Sequence, residues 1–344
     1  MEEKKYVRRK RYSGKYPKSF EEKYKEKQPE KYQDLIQHVM EKGNTPAGMH
    51  RPIMVDEILT FLNIKPNQIG LDATLGYGGH SKSILEKLNH TGHLHATDVD
   101  PIELPKTKKR LISYGFTDHD FTLHHLNFRD LDQIPVQGFD FIIADLGVSS
   151  MQIDDPKRGF TYKSSGPLDL RMNPEIGIPA SVRLKELSQE EIEGMLIENA
   201  DEIYAKEIAL EITKTRAKGE TIETTKDLHE VIKRALNKVS KSTQEEAIKK
   251  ASQRTFQALR IDVNHEYEAL FDLLEKIPLL LNPGGKVAIL TFHSGEDRLV
   301  KKAFQHYQRQ GIYSEIFGPD LPSLDEIRDN PRARSAKLRC AIHI

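Results

Sequence analysis

The chain has a single cysteine, no internal repeat, no formal net charge and no long hydrophobic run. One cysteine, Cys340, excludes an internal disulfide and any cysteine-based zinc site, and it fits a reducing cytosol. No apolar stretch approaches the roughly 18–20 residues that cross a bilayer, so no membrane segment is expected. The basic start lacks an apolar core region, which argues against a secretory signal. Lys plus Arg and Asp plus Glu balance at 52 each, so global charge names no partner and only local charge can. These absences lead to an expectation of a soluble, cytoplasmic protein. Its 344 residues allow about two domains and a sizeable core.

Residues 1–47 form a separate compositional zone. Arg8-Arg9-Lys10-Arg11 interleave with Tyr6, Tyr12, Tyr16, Phe20 and Tyr24, and few aliphatic residues precede Leu35. Such a segment cannot build a core, so a basic, flexible extension is expected, with a short helix at Tyr32–Met40. Its cations could meet phosphates and its aromatics could stack on unpaired bases.

Beyond it, helical spacing of Val55, Ile58, Leu59 and Leu62 predicts a helix over 53–63. The stretch Leu71-Asp72-Ala73-Thr74-Leu75-Gly76-Tyr77-Gly78-Gly79-His80-Ser81 then reads as strand, glycine-rich loop and helix. Glycines let backbone N–H groups approach a ligand, and a helix N-terminus favours an anion. Further strands are predicted at Leu94–Thr97, Phe121–Leu126, Phe139–Ala144 and Lys286–Phe292. Strands alternating with helical segments imply βαβ units and a mostly parallel sheet. Asp72, Asp98 and Asp145 all fall at carboxyl ends of strands, where such sheets bind ligands. Helices are predicted at Leu184–Ala200, Ala205–Lys218, Leu228–Lys238, Gln244–Ala258 and Glu266–Leu281. The first four form an insertion over 165–250. Ile312–Phe317 and Lys337–Ile344 are expected to pair as a final antiparallel hairpin.

Asp98 stands 18 positions beyond His80, close to the ~20-residue offset of a carboxylate that holds ribose hydroxyls. NAD and S-adenosylmethionine both suit that geometry. The loop departs from GxGxxG and no second mononucleotide half is evident, so a methyltransferase fits better than a dehydrogenase. An amine on a base ring is a poor nucleophile: it must be oriented, and an acceptor must take its proton. Asp145, Ser149 and Ser150, directly after the fourth strand, offer such acceptors.

These elements resemble a known family, the S-adenosylmethionine-dependent N4-cytosine methyltransferases of bacterial small-subunit rRNA (RsmH, also called MraW). The matching pieces are His50-Arg51-Pro52, Asp72–Gly76, Gly78–Ser81, Asp98-Val99-Asp100-Pro101 and Asp145–Ser150. Arg158-Gly159-Phe160, Gly166–Met172, Thr255–Arg260, Phe292–Arg298 and Arg332–Arg339 follow in family order. The resemblance implies a class I (Rossmann-like) methyltransferase of residues 48–164 and 251–344, carrying 165–250 as a helical substrate-recognition insertion. It implies S-adenosylmethionine bound by Gly78, Gly79, His80, Asp98, Phe128, Asp145 and Gln152. Arg158, Asp169, Arg171, His293, Ser294, Asp297 and Arg298 are the expected contacts to the target base or RNA backbone. The partner would be small-subunit (16S) rRNA or the 30S particle. No metal is expected, and a homodimer stays open. Family members commonly carry leucine where this chain has Gly295, and they start close to the His-Arg-Pro element. The extra basic extension suggests a divergent second copy. Two rivals remain: an amine methyltransferase on DNA or another RNA, and a non-catalytic rRNA-binding assembly factor that keeps the fold.

Overall fold

A computed structural model describes residues 52–344. The expected basic extension, the helix at Tyr32–Met40 and His50-Arg51 lie outside the described residues, as does the side chain of Ser150. The described residues open with α1 (Val55–Leu62), β1 (Ile69–Asp72), α2 (Gly79–Leu88), β2 (His93–Asp98), α3 (Leu104–Ser113), β3 (Phe121–His125) and β4 (Phe139–Asp145). After the short α4 (Ser150–Asp154) come α5 (Ala180–Glu186), α6 (Gln189–Ala200), α7 (Ala205–Ala217), α8 (Thr225–Ala235) and α9 (Gln244–Asn264). The remainder is α10 (Glu266–Leu280), β5 (Leu281–Thr291), α11 (Ser294–Arg309), β6 (Tyr313–Asp320), α12 (Leu324–Asp329) and β7 (Lys337–His343).

The described strands form one seven-stranded sheet in the order β3-β2-β1-β4-β5-β7-β6. The first five are parallel, and β7 enters antiparallel between β5 and β6. This is the expected class I arrangement, and the expected final hairpin is present as β6–β7. The chain winds outward from β1 to β3, then returns to lay β4 on the other side of β1. The carboxyl ends of β1 and β4 therefore border the topological switch point, where such sheets open a crevice. Register sharpens this. Asp72 pairs with Ala96 of β2 and with Ile143 of β4, so Asp98 and Asp145 each lie two residues past that level.

The sheet is buried on both faces, which is why its strands read as continuous apolar runs. One face holds Ile58, Leu62, Ile84, Leu85 and Leu111 from α1–α3; the other holds Leu270, Leu273, Ile277, Val300 and Phe304 from α10 and α11. Close packing dictates a glycine in β1, because a Cβ on Gly70 would lie 2.0 Å from the Phe141 ring on β4. Helices α5–α9 have a hydrophobic cluster of their own, running from Phe160 to Leu259. It includes Leu168 and Leu170, so the segment before α5 packs with these helices.

Two expectations change in detail. The helix predicted over Leu184–Ala200 is two helices. Ser188 forms a capping box with Glu191 and starts α6 afresh, since its side chain satisfies a helix N–H that a continuous helix would not leave open. The helix predicted to stop at Ala258 runs on to Asn264. Among the described residues no helix is long and apolar enough to cross a membrane.

Candidate active site

The loop after β1 is held shut by the strands on either side. The Ser81 hydroxyl donates to Asp72 Oδ2 at 2.6 Å and the Thr74 amide donates to Oδ1 at 3.0 Å, so the buried Asp72 ties the strand end to the first turn of α2. Burial raises the Asp72 carboxyl above the ordinary range, against those hydrogen bonds and nearby His80. Gly78 caps α2 at φ +80, a conformation that suits glycine, and a Cβ there would strike Thr107 of α3 at 2.7 Å. A Cβ on Gly79 would meet Pro52 at 2.9 Å. These two glycines thus admit protein neighbours. The open side of the loop is at Gly76, also at positive φ, where a Cβ would meet only Thr74 O at 3.8 Å.

Asp98 crosses to this loop, accepting from the Gly76 amide at 2.7 Å and from the Asp100 amide at 2.8 Å. Burial pushes its carboxyl up to about 6, only partly offset by those two amides. Asp100 is fully buried and is the hub that sequence reading missed. Its Oδ2 accepts from Arg158 Nη1 at 2.7 Å and from Gln152 Nε2 at 2.8 Å, while Oδ1 accepts from the Ile102 amide at 2.9 Å. The signal was present in Asp98-Val99-Asp100-Pro101, two acidic residues before a proline at a strand end.

On β4, the Asp145 amide donates to Thr74 Oγ1 at 2.6 Å, and its carboxylate is part-exposed toward the crevice. His80 is buried with Nε2 3.4 Å from Asp145 Oδ2. The backbone then turns at Gly147, φ +92, and Ser149 caps α4. The Ser149 hydroxyl accepts from the Gln152 amide at 3.2 Å, and Gln152 Oε1 accepts from the Ser149 amide at 2.8 Å. Both ends of the Gln152 side chain are therefore engaged within the protein. Phe128 lies just beyond β3, half-buried against the apolar face that α10 and α11 cover.

Several residues expected on the substrate side have partners within the fold. Arg158 is buried; besides Asp100 it donates to Met172 O at 2.7 Å. Asp169 and Arg171 form a two-pronged pair at 2.7 and 2.8 Å, which raises the Arg171 pKa. Asp297 bridges Lys337 at 3.0 Å and Arg339 at 2.7 Å, fastening α11 to β7. His293 caps α11, and its Nε2 lies 3.1 Å from the buried Glu296. Ser294 reaches Asp201 at 3.4 Å, and Arg298 is exposed. Arg260, the last residue of the Thr255–Arg260 motif, pairs with Glu266 at 2.7 and 2.9 Å; a Cβ on Gly147 would sit 4.0 Å from its Nη2. Gly295 has a packing reason, because Tyr267 Oη would lie 1.9 Å from a Cβ there. The Tyr267 hydroxyl donates to Asn199 O at the end of α6, at 3.1 Å.

Glycine loop, Asp98 and Asp145 thus lie together beside the switch point. Residues 47–344 match the family model described as the MraW methylase family. Ribosomal RNA small subunit methyltransferase H 2 of Acholeplasma laidlawii is 70% identical over 342 residues, covering 99% of each chain. Ribosomal RNA small subunit methyltransferase H 1 of Lachnoclostridium phytofermentans is 57% identical over 340 residues, 98% of this chain and 93% of that one. Ribosomal RNA small subunit methyltransferase H of Hydrogenovibrio crunogenus is 36% identical over 320 residues, 87% of this chain and 98% of that one. The two numbered relatives align across the basic start, in line with a divergent copy that carries an extension. With its motifs, its sheet order and these likenesses, the chain belongs to the MraW methylase family.

Proposed function

We propose that this protein transfers the methyl group of S-adenosylmethionine to the exocyclic N4 of a cytidine in small-subunit rRNA, as an enzyme of the cytoplasm. The observation that carries the reading is Asp145: a part-exposed carboxylate at the switch point, with β1 between it and Asp98, and beside the glycine loop. Family membership and relatives named for small-subunit rRNA methylation support the substrate.

The crevice suits the cofactor. Gly76 leaves the loop open on one side, Asp98 offers carboxylate oxygens to ribose hydroxyls, and Phe128 offers a ring to adenine. Gly78, Gly79 and His80 would hold the amino-acid end through the backbone of the first turn of α2. When bound, the cofactor supplies an electrophilic methyl on a sulfonium. Asp145 accepts an N–H of the cytosine amine, turns its lone pair toward that methyl, and takes the proton as the nitrogen becomes cationic. Ser149 and Gln152 fix the loop that carries Asp145, and Arg158 anchors that loop to β2 through Asp100. Residues 165–250, with their own apolar cluster, form the part that grips RNA whose base has left its stack.

The test is methylation by the full chain on small subunits, naked rRNA and DNA in parallel, with modified nucleosides identified by mass spectrometry. N4-methylcytidine in rRNA is the expected product. Product confined to DNA or another RNA overturns the substrate, and cofactor binding without turnover on any nucleic acid favours an assembly factor. Asp145→Ala should keep cofactor binding in calorimetry and lose about 10²–10⁴-fold in transfer. Sedimentation of the purified chain decides the homodimer.

A further inference from the structure

Resting on that reading, we infer that His80 is a positioning residue for Asp145, beyond any part its backbone plays in holding the cofactor. His80 is 7% exposed, and its Nε2 has no hydrogen-bond partner. A buried polar atom without a partner is costly and calls for a reason. The nearest reason is Asp145 Oδ2 at 3.4 Å, just beyond hydrogen-bond length. Hydrogen bonds that serve catalysis are often long in a free enzyme and tighten in the complex.

The surrounding bonds make the direction specific. Ser81, the next residue, is fixed to Asp72, so the first turn of α2 cannot swing His80 away. The Asp145 backbone is fixed from the other side by Thr74 Oγ1. His80 is buried, so the part-exposed Asp145 carboxylate is the group with more room to rotate. A donor on Oδ2 holds that oxygen inward and leaves Oδ1 for the cytosine amine. Both the neutral Nε2–H form and the protonated imidazole can donate, so the hold does not need one protonation state. The charged groups facing His80 are Asp145 on β4 and Asp72 on β1. Both oxygens of Asp72 are already engaged, by Ser81 and Thr74, and Asp145 is the carboxylate nearest to Nε2.

The experiment compares the full chain with His80→Ala and His80→Gln, reading kcat, the KM for small subunits and calorimetric affinity for S-adenosylmethionine. His80→Ala should lower kcat about 10–100-fold, with cofactor affinity within about threefold of the parent. The amide of His80→Gln should recover part of that loss, because it restores a donor. Ring nitrogen NMR gives a readout independent of turnover: Asp145→Asn should shift the His80 Nε2 resonance, since it changes the group that Nε2 faces. An unchanged kcat in His80→Ala, a loss of cofactor affinity equal to the loss in kcat, or an imidazole indifferent to Asp145→Asn would each overturn the proposal. If the parent chain transfers no methyl to rRNA, the functional reading fails, while the NMR comparison still decides whether His80 and Asp145 are coupled.

Discussion

Asp98 accepts two backbone N–H groups, and its burial still leaves the carboxyl raised to about 6. Ribose hydroxyls donate to the ionised form, so cofactor binding favours loss of that proton. Affinity should be full above about pH 6 and fall as pH drops below it, by up to about tenfold per unit. Calorimetry across pH 5–8 checks this, and Asp98→Asn should flatten the profile while weakening binding throughout. Asp100 carries a different kind of consequence. Removing it with Asp100→Ala strands the buried Arg158 guanidinium and frees the Gln152 amide, a loss of about 3–5 kcal/mol. Denaturant unfolding would register it as a lower midpoint with little change in slope.

At the scale of the elements, the start of α2 depends on Gly78. Gly78→Ala forces a side chain into positive φ and against Thr107, so about 1–3 kcal/mol of destabilisation is expected, with weaker cofactor binding from a shifted loop. Thermal unfolding and calorimetry together check both effects. The α11 start depends on Gly295 for another reason: Tyr267 occupies the space a side chain would need. Gly295→Leu should therefore destabilise strongly, and combining it with Tyr267→Ala should recover most of the loss. That non-additivity is the signature of two residues sharing one volume, and a double-mutant cycle measures it.

For the whole molecule, the segment that leads into α5 is tied to the C-terminal end of α9. Asn264, where α9 ends, donates to Leu170 O at 2.8 Å and accepts from the Met172 amide at 2.7 Å. Asn264→Ala leaves those backbone groups unpaired at a cost of about 1–3 kcal/mol. The expected outcome is a raised KM for small subunits with unchanged affinity for S-adenosylmethionine, separable in steady-state kinetics. An equal loss of cofactor affinity would place Asn264 in the support of the sheet.

The sequence by itself determined the strands of the first half, the glycine loop and the three carboxylates at strand ends. Apolar runs that close on Asp72, Asp98 and Asp145 can be read without coordinates, because period, glycine and charge are local signals. The family motifs also lay in the sequence. What only the tertiary structure decided is which side chains remain available. Arg158, Asp169, Arg171 and Asp297 look like phosphate or base contacts in one dimension, yet each is engaged by a residue that the fold brings to it. Asp100 and His80 show the converse: a hub and a buried imidazole facing Asp145, both set by packing across strands. Pairings such as Asp100 with Arg158 join positions 58 apart in the chain. No local pattern encodes them, since they arise from the way the sheet returns upon β1.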